Sequence, residues 1–552
     1  MGFNLGDINE ALAAATPERE CIVFRDRRLT WGMFAERSRR LANVLAAHGL
    51  GCRQERDRLR PYESGQDHLG LYLYNGNEYL EGMVGACKAR VAPFNVNYRY
   101  VDDELIYLFE NAEVAGLVYH AAFAPLLARI RDRIPPLRVL LQVADDSGHG
   151  LLPGALDYEA ALAQAPARMP ERATSPDDLY VLYTGGTTGM PKGVLWRQED
   201  IFFGAMGGHP VGGVAVESME QLVAQARDGG TRGLLAPPFM HGAAQWMAFT
   251  VLHQGGTVVI QPHPERFDPH ELWATIAEQQ VSFLTIVGDA FARPMIDVLD
   301  QNTYDLGSLR IILSGGAILT PALKRELLAR LPHVMILDGF GASETGGHGN
   351  QLTVAGQEAT SGTFRMDDST VVLSEDLGRI VAPGADEMGW LARRGHVPLG
   401  YFKDPEKTAK TFPVIGGVRY AVPGDHARVR ADGTIVVLGR GSVSINTGGE
   451  KVYPEEVERV LKHHAGVYDA IVVGTPHPTW GEQVTAVVQP RPGATPAVAE
   501  LIELCAQHLA RFKLPKTVVF VDRIVRSPSG KPDYRWAKGE ALARMGSSPA
   551  ST

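Results

Sequence analysis

Tyr183-Thr184-Gly185-Gly186-Thr187-Thr188-Gly189-Met190-Pro191-Lys192-Gly193 is the stretch on which the reading of this chain turns. The apolar run 179–183 before it reads as a buried strand, and Val194-Leu195-Trp196 after it reads as another. Gly185, Gly186 and Gly189 let an anion come close to the backbone, Thr184, Thr187 and Thr188 add hydroxyl donors, and Lys192 adds a point charge. No helix follows and no Gly-Lys-Ser/Thr occurs, so this is not a Walker P-loop. A hairpin turn rich in small residues is the alternative reading.

Outward from this loop, short apolar strands alternate with amphipathic helices. Residues 283–287 and 309–313 read as strands. Thr320, as a capping residue, and Pro321 open a helix whose buried face is Leu323, Leu327, Leu328 and Leu331. The alternation predicts an α/β fold with parallel sheets. The 552 residues are 45% hydrophobic and 21% charged, which excludes a disordered or fibrous chain. A net charge of −9 argues against a nucleic-acid binder. Cys21, Cys52, Cys87 and Cys505 have no metal spacing and read as reduced thiols. The start lacks the basic and apolar regions of a signal peptide, and Gly6 stands where a myristoylation signal needs Ser or Thr. Residues 233–264 carry no Lys, Arg, Asp or Glu except Glu265 just beyond, but prolines and glycines break the stretch. It predicts a buried helix at 243–252 and a strand at 257–260, not a membrane span. The expectation is a cytoplasmic protein.

The texture changes after residue 438. Pro454 opens a helix with Glu455 and Glu456 in its first turn and Gly466 just past its end. Strands at 470–473, 485–489 and 518–521 and a helix at 497–509 make up a small α/β unit. Basic residues outnumber acidic ones there by 14 to 11, although the whole chain is acidic. The expected division is 1–438 for a large body, 439–545 for a small domain and 546–552 for a disordered tail.

Six further stretches carry chemistry. Asp338-Gly339-Phe340-Gly341-Ala342-Ser343-Glu344 is a glycine-broken loop with a hydroxyl beside a carboxylate; near phosphates such a carboxylate suits a magnesium ion. Upstream, Ser314-Gly315-Gly316-Ala317 closes a strand. Asp425 in Val422-Pro423-Gly424-Asp425 is an acceptor fit for vicinal hydroxyls. Arg440 precedes Ser442, Asn446 and Gly448-Gly449-Glu450, where the glycines allow close passage of a ligand. Ser527-Pro528-Ser529-Gly530-Lys531 holds a lysine in a loop. Pro237-Pro238-Phe239-Met240-His241-Gly242 heads the uncharged stretch.

Together, in this order, these stretches resemble the adenylate-forming superfamily of acyl- and aryl-CoA synthetases, peptide-synthetase adenylation domains and luciferases. The resemblance covers nearly the whole chain. It implies a large N-terminal body of mixed sheets packed with helices, plus a small mobile C-terminal α/β domain. It implies that Thr184, Gly185, Gly186, Thr187, Thr188, Gly189 and Lys192 hold the phosphates of ATP. Gly315, Gly316, Ala317, Asp338, Gly339 and Phe340 then face the adenine, Ser343 the α-phosphate, and Asp425 and Arg440 the ribose. Glu344, with Thr184, holds Mg²⁺, and Lys531 is the adenylation lysine. Phe239, Met240, His241, Trp246 and Gly288 border the acyl group, with Met247 beside them. Gly448, Gly449 and Glu450 meet coenzyme A. Gly185 stands where Ser is common, Ser442 where a hinge Asp or Lys is common, and Asn446 where Lys is common.

Within the superfamily, the loops look most like actinobacterial-type ligases for long-chain fatty acids or steroid side-chain acids. The resemblance therefore implies an ATP-dependent acid:CoA ligase with a small-molecule carboxylic acid, ATP, Mg²⁺ and coenzyme A. It leaves room for peripheral membrane contact and a homodimer. The alternatives are transfer of the acyl group to a carrier protein or to oxygen chemistry, and a non-catalytic nucleotide binder. Residues 52–70, charged and placed before the strand at 71–74, have no reading from sequence.

Overall fold

The structure, a computed structural model, describes residues 2–546 except 172, 187–188, 211–212, 441–442, 448–449, 479 and 528–529. The expected tail therefore lies outside the described residues. The described strands form three sheets. In the largest, Glu20–Phe24, Thr257–Ile260, Arg232–Leu235, Phe283–Ile286, Ile311–Gly315 and Met335–Ala342 lie side by side and parallel. Short apolar runs buried on both faces belong in such a position. The sheet continues antiparallel from Gly346–Thr353 onward. The second sheet sets His68–Tyr72, Ala92–Asn95, Val114–His120, Val139–Val143 and Leu156–Asp157 parallel, with Leu179–Gly186 joined beside Ala92–Asn95.

A large core containing Trp31, Phe34, Leu41, Tyr79 and Phe249 gathers the helices Trp31–Ala47, Asn77–Lys88 and Gly242–His253. The last of these, followed by Thr257–Ile260, is the helix and strand expected for the uncharged stretch. A second core around Trp273, Leu284 and Ile312 includes Leu323, Leu327, Leu328 and Leu331, the face expected of the helix Pro321–Arg330. Thr320 stands at that helix's N-cap, but its side chain accepts no helix N–H. Its own N–H instead donates to Asp289 Oδ1 at 2.8 Å, and that tertiary contact takes the place of the cap. The strand expected at 309–313 runs from Ile311 to Gly315, because its register is set by pairing with Met335–Ala342. The four cysteines are free, and among the described residues no helix is long and apolar enough to cross a membrane.

The third sheet is drawn entirely from residues after 444, with the helices Val498–His508 and Tyr534–Gly546 packed around it. The helix Pro454–Leu461 is shorter than expected and stops before Gly466. Turn hydrogen bonds from His463 and His464 carry the chain on to Val467, where the next strand begins. That helix starts against the strand Ile435–Arg440. Gly439, at φ +126°, lets it in: a Cβ there would lie 2.7 Å from Glu455 Oε2. Among the described residues this buried oxygen has no hydrogen-bond partner. Burial, with Glu458 and Asp425 nearby, pushes the Glu455 carboxyl up to about 8.

A carboxyl that keeps its proton to about 8 when folded, but ionises near 4.5 when exposed, leaves the unfolded chain with fewer protons between those values. Stability is therefore lost as pH rises from about 5 to 8 and levels off above. We expect Glu455→Gln to flatten that part of the pH profile of urea unfolding. Parallel profiles for variant and wild type would show that Glu455 is ionised in the folded protein.

Candidate active site

In a parallel sheet the loops after the strands emerge on one side, and ligands bind at the carboxyl ends. Here the loop 236–241 follows Arg232–Leu235, Gly288 follows Phe283–Ile286, Gly316 follows Ile311–Gly315, and Phe340 lies near the end of Met335–Ala342. Four expected stretches thus meet along one edge. Gly315 pairs with Gly339 inside the sheet, so these two glycines sit side by side. Gly316 follows at φ +85°, and Ala317 is half-buried behind it.

Lys531 reaches this edge from the small third-sheet unit. Its Cε lies 3.7 Å from where a Cβ on Gly316 would be, and Gly530 packs against Val287. The loop is closed by Gly530 N–H donating to the Ser527 carbonyl and Lys531 N–H to Ser527 Oγ, at 2.8 and 3.1 Å. His241 stands within the field of the same ammonium. Burial, then Lys531 and Arg99, push its imidazole down to about 3, and its Nε2 is buried without a partner among the described residues. A neutral ring with an unsatisfied nitrogen next to a lysine suits a polar ligand group.

The glycine- and threonine-rich stretch forms a hairpin: Leu179–Gly186 pairs antiparallel with Gly189–Arg197, Thr184 opposite Lys192 and Gly186 opposite Gly189. The hairpin reading of this stretch is the one the pairing shows, with Gly185 on the strand; Thr187 and Thr188 lie outside the described residues. Lys192 donates to Asp404 Oδ2 at 2.6 Å. Burial raises the Asp404 carboxyl, but Lys192 and the Lys407 N–H outweigh it and hold it below its ordinary range. Glu344 Oε1 accepts from Tyr401 O–H at 2.7 Å, and the Ser343 carbonyl accepts from Trp196 Nε1 at 3.0 Å. Among the described residues no three acidic, His or Cys side chains converge as a metal cluster. A single oriented carboxylate with a hydroxyl fits Mg²⁺, which completes its shell with water and phosphate oxygens.

Two of the expected stretches are held by contacts within the protein. The Asp338 carboxylate is buried and paired with Lys324, which also donates to the Thr360 carbonyl. Burial raises it to about 6, with Lys324 offsetting part of the cost. The Phe340 ring is stacked on His348, 5.6 Å between centroids. Phe239 and Met240 are core residues here, Phe239 lying 5.6 Å from the Tyr79 ring, because the loop carrying them is drawn inward by hydrogen bonds. Trp246 is 8% exposed and lies over Gly242, where a Cβ would meet its ring at 3.2 Å. Met247 is half-buried against the same core.

The residues that draw the loop inward escaped the sequence reading. Asn75 donates to the Pro237 carbonyl at 3.0 Å and accepts from Phe239 N–H at 2.6 Å. Asn95 donates to the Met240 and Tyr183 carbonyls, at 2.7 and 2.8 Å, and accepts from Tyr183 N–H. Gln245 donates to the Phe239 carbonyl and to Tyr79 O–H. Tyr401 and Asp404 were also missed; the only local signal was Asp404-Pro405 opening the helix Pro405–Thr411. Asp425 is buried at the junction and pairs in register with Arg440, whose strand ends there. Gly448 and Gly449 lie outside the described residues, and Glu450 opens the strand Glu450–Val452.

Comparison with known proteins agrees with this arrangement. The AMP-binding enzyme family matches residues 9–402, and the AMP-binding enzyme C-terminal domain matches residues 456–531. A protein of Mycobacterium avium named medium-chain acyl-CoA ligase Mig is 51% identical, over 98% of both chains. A 3-oxocholest-4-en-26-oate–CoA ligase of Rhodococcus rhodochrous is 42% identical over 99% of this chain and 97% of its own. Among solved structures, an anthranilate CoA ligase with bound anthranoyl-AMP superposes with a TM-score of 0.81 over 99% of this chain and 98% of its own, at 21% identity, a likeness of fold. From the glycine loop to the lysine at the sheet edge, and over almost its whole length in sequence, the chain belongs to the AMP-binding enzyme family.

Proposed function

We propose that the protein is an AMP-forming acid:CoA ligase for lipophilic carboxylic acids. The observation that carries the reading is the approach of Lys531 to Gly316, beside the buried, neutral His241. In the first step a carboxylate oxygen attacks the α-phosphorus of ATP, forming acyl-AMP as pyrophosphate leaves. No nucleophilic side chain is needed. Lys531 and Lys192 stabilise charge that grows on the phosphates, which is the main work of such a site. Glu344, with the Thr184 hydroxyl, would hold Mg²⁺, which supplies further charge neutralisation when bound. In the second step the coenzyme A sulfur attacks the acyl carbonyl and AMP departs. The small domain turns away between the steps, withdrawing Lys531. Residues 439–545 are the unit proposed to turn, about Ser442, bringing 448–450 to coenzyme A. Asp425 and Arg440 are proposed to hold the ribose.

The lipophilic substrate rests on the charge-poor stretch 233–264 and on the relatives named for medium- and long-chain fatty acids and a cholestenoate. The deciding experiment is pyrophosphate release across a panel of acids, each with and without coenzyme A. AMP turnover that ignores coenzyme A would favour a different acceptor.

Three outcomes are expected. Lys531→Ala lowers acyl-AMP formation by about a hundredfold or more and spares thioester formation from supplied acyl-AMP; equal loss in both would assign the lysine to the fold. Tyr401→Phe leaves Glu344 unoriented, so the Mg²⁺ needed for half-maximal pyrophosphate release rises about tenfold. An unchanged Mg²⁺ response would separate Tyr401 from the metal. With ~0.8 kcal/mol for each buried methylene, kcat/KM should climb about fourfold per CH₂ from short to medium acids. Trp246→Ala should shift the optimum to bulkier acids. A maximum at two or three carbons would end the lipophilic reading.

A further inference from the structure

The helix Gly288–Leu299 begins at the sheet edge beside the Lys531 loop, and one face of it is turned to the small domain. Asp289, in its first turn, lies 3.5 Å from Lys462 Nζ. One turn on, Arg293 lies over the ring of Tyr468, 5.9 Å from its centroid. Lys462 sits just past the end of the helix Pro454–Leu461, so both contacts cross between the units.

Behind Lys462 the charges continue in alternating sign. Asp469 Oδ1 is 3.3 Å from Lys462 Nζ, and Arg526 donates to both Asp469 oxygens at 2.7 Å. Arg526 Nη1 also donates to the Gly530 carbonyl at 3.1 Å, the residue before Lys531. The side chains of Lys462, Asp289, Asp469 and Arg526 are only 9 to 12% exposed. Water screens such charges little, so their pairing depends closely on position.

We propose that Asp289 and Lys462 form an interdomain latch, seated on the Asp469–Arg526 pair, that holds the Lys531 loop at Gly316 and biases the chain toward the adenylating arrangement. The proposal rests on the two-step reading above for its catalytic consequence, but not for its structural one. The latch is built to open. When the units part, Lys462 keeps Asp469, and Asp289 keeps the Thr320 N–H. Neither charge is stranded, which is the usual heavy cost of breaking a buried pair. Lys462 and Asp289 are positioning residues: they touch the lysine loop's support and not the reacting atoms.

Lys462→Gln and Asp289→Asn test this, the latter keeping the acceptor for Thr320. Acyl-AMP formation should fall on the order of tenfold to a hundredfold in each, as for a partly buried charge pair, while thioester formation from supplied acyl-AMP is unchanged or faster. The double variant should be no worse than the worse single one, because both remove one contact. Independently of turnover, spin labels at Leu352→Cys and Val498→Cys report the distance between units. Both sites are exposed, and Cys52→Ser removes the one cysteine that is not buried. Lys462→Gln should broaden or split a distance distribution that is narrow in the parent. Equal losses in both half-reactions, additive losses in the double variant, or an unaltered distance distribution would each overturn the latch. A parent protein that releases no pyrophosphate with any acid would instead overturn the ligase reading, and the distance measurement would still decide the latch.

Discussion

Two buried amides hold the site together. Asn75 follows the strand His68–Tyr72 and Asn95 ends its parallel neighbour, both in the second sheet, yet their hydrogen bonds go to the loop that leaves the largest sheet. A loop passing between two sheets carries backbone groups that water cannot reach, and each must find a partner. Asn75 and Asn95 supply those partners at Pro237, Phe239 and Met240, and Asn95 also fixes Tyr183 at the root of the hairpin loop. The relative position of His241 and Thr184 therefore follows from two side chains that meet no ligand themselves.

The same economy governs the charges. Lys192 has Asp404, Lys324 has Asp338, and Glu344 has Tyr401, so the polar groups at the sheet edge are held before any nucleotide arrives. Such preorganisation means that little reorientation is left for the reaction itself. Not every group is so held: among the described residues the buried His241 Nε2 and Trp246 Nε1 have no hydrogen-bond partner, a cost the fold bears where the proposed acyl group would lie.

Much of this was legible in the sequence because it depends on local pattern. Apolar runs of four or five residues gave the parallel strands, and the uncharged stretch gave the helix Gly242–His253. Loops of glycine and small polar residues at the ends of those strands then had to share one edge. What could not be read depends on partners distant along the chain. A lone Asn, Tyr or Asp carries no periodic signal, so Asn75, Asn95, Tyr401 and Asp404 were silent. Nothing in the loop of Asp338 points to its partner Lys324, fourteen positions earlier, on a helix that folds back against the strand. Phe239 looked like a pocket wall because burial in a core and burial by an acyl chain select the same side chain.

The pairing of Lys192 with Asp404 also bears on which anions would reach the proposed phosphate site. A small anion, such as inorganic phosphate or acetate, meets a lysine whose charge is already answered by a carboxylate at 2.6 Å. To engage it, the newcomer must compete with a fixed internal rival. A polyphosphate that brings several oxygens and other contacts can win that contest where a simple anion cannot. On the proposed role of Lys192 at the phosphates, the internal carboxylate would act as a discriminator against the salts that surround the protein, at the cost of some affinity for the nucleotide.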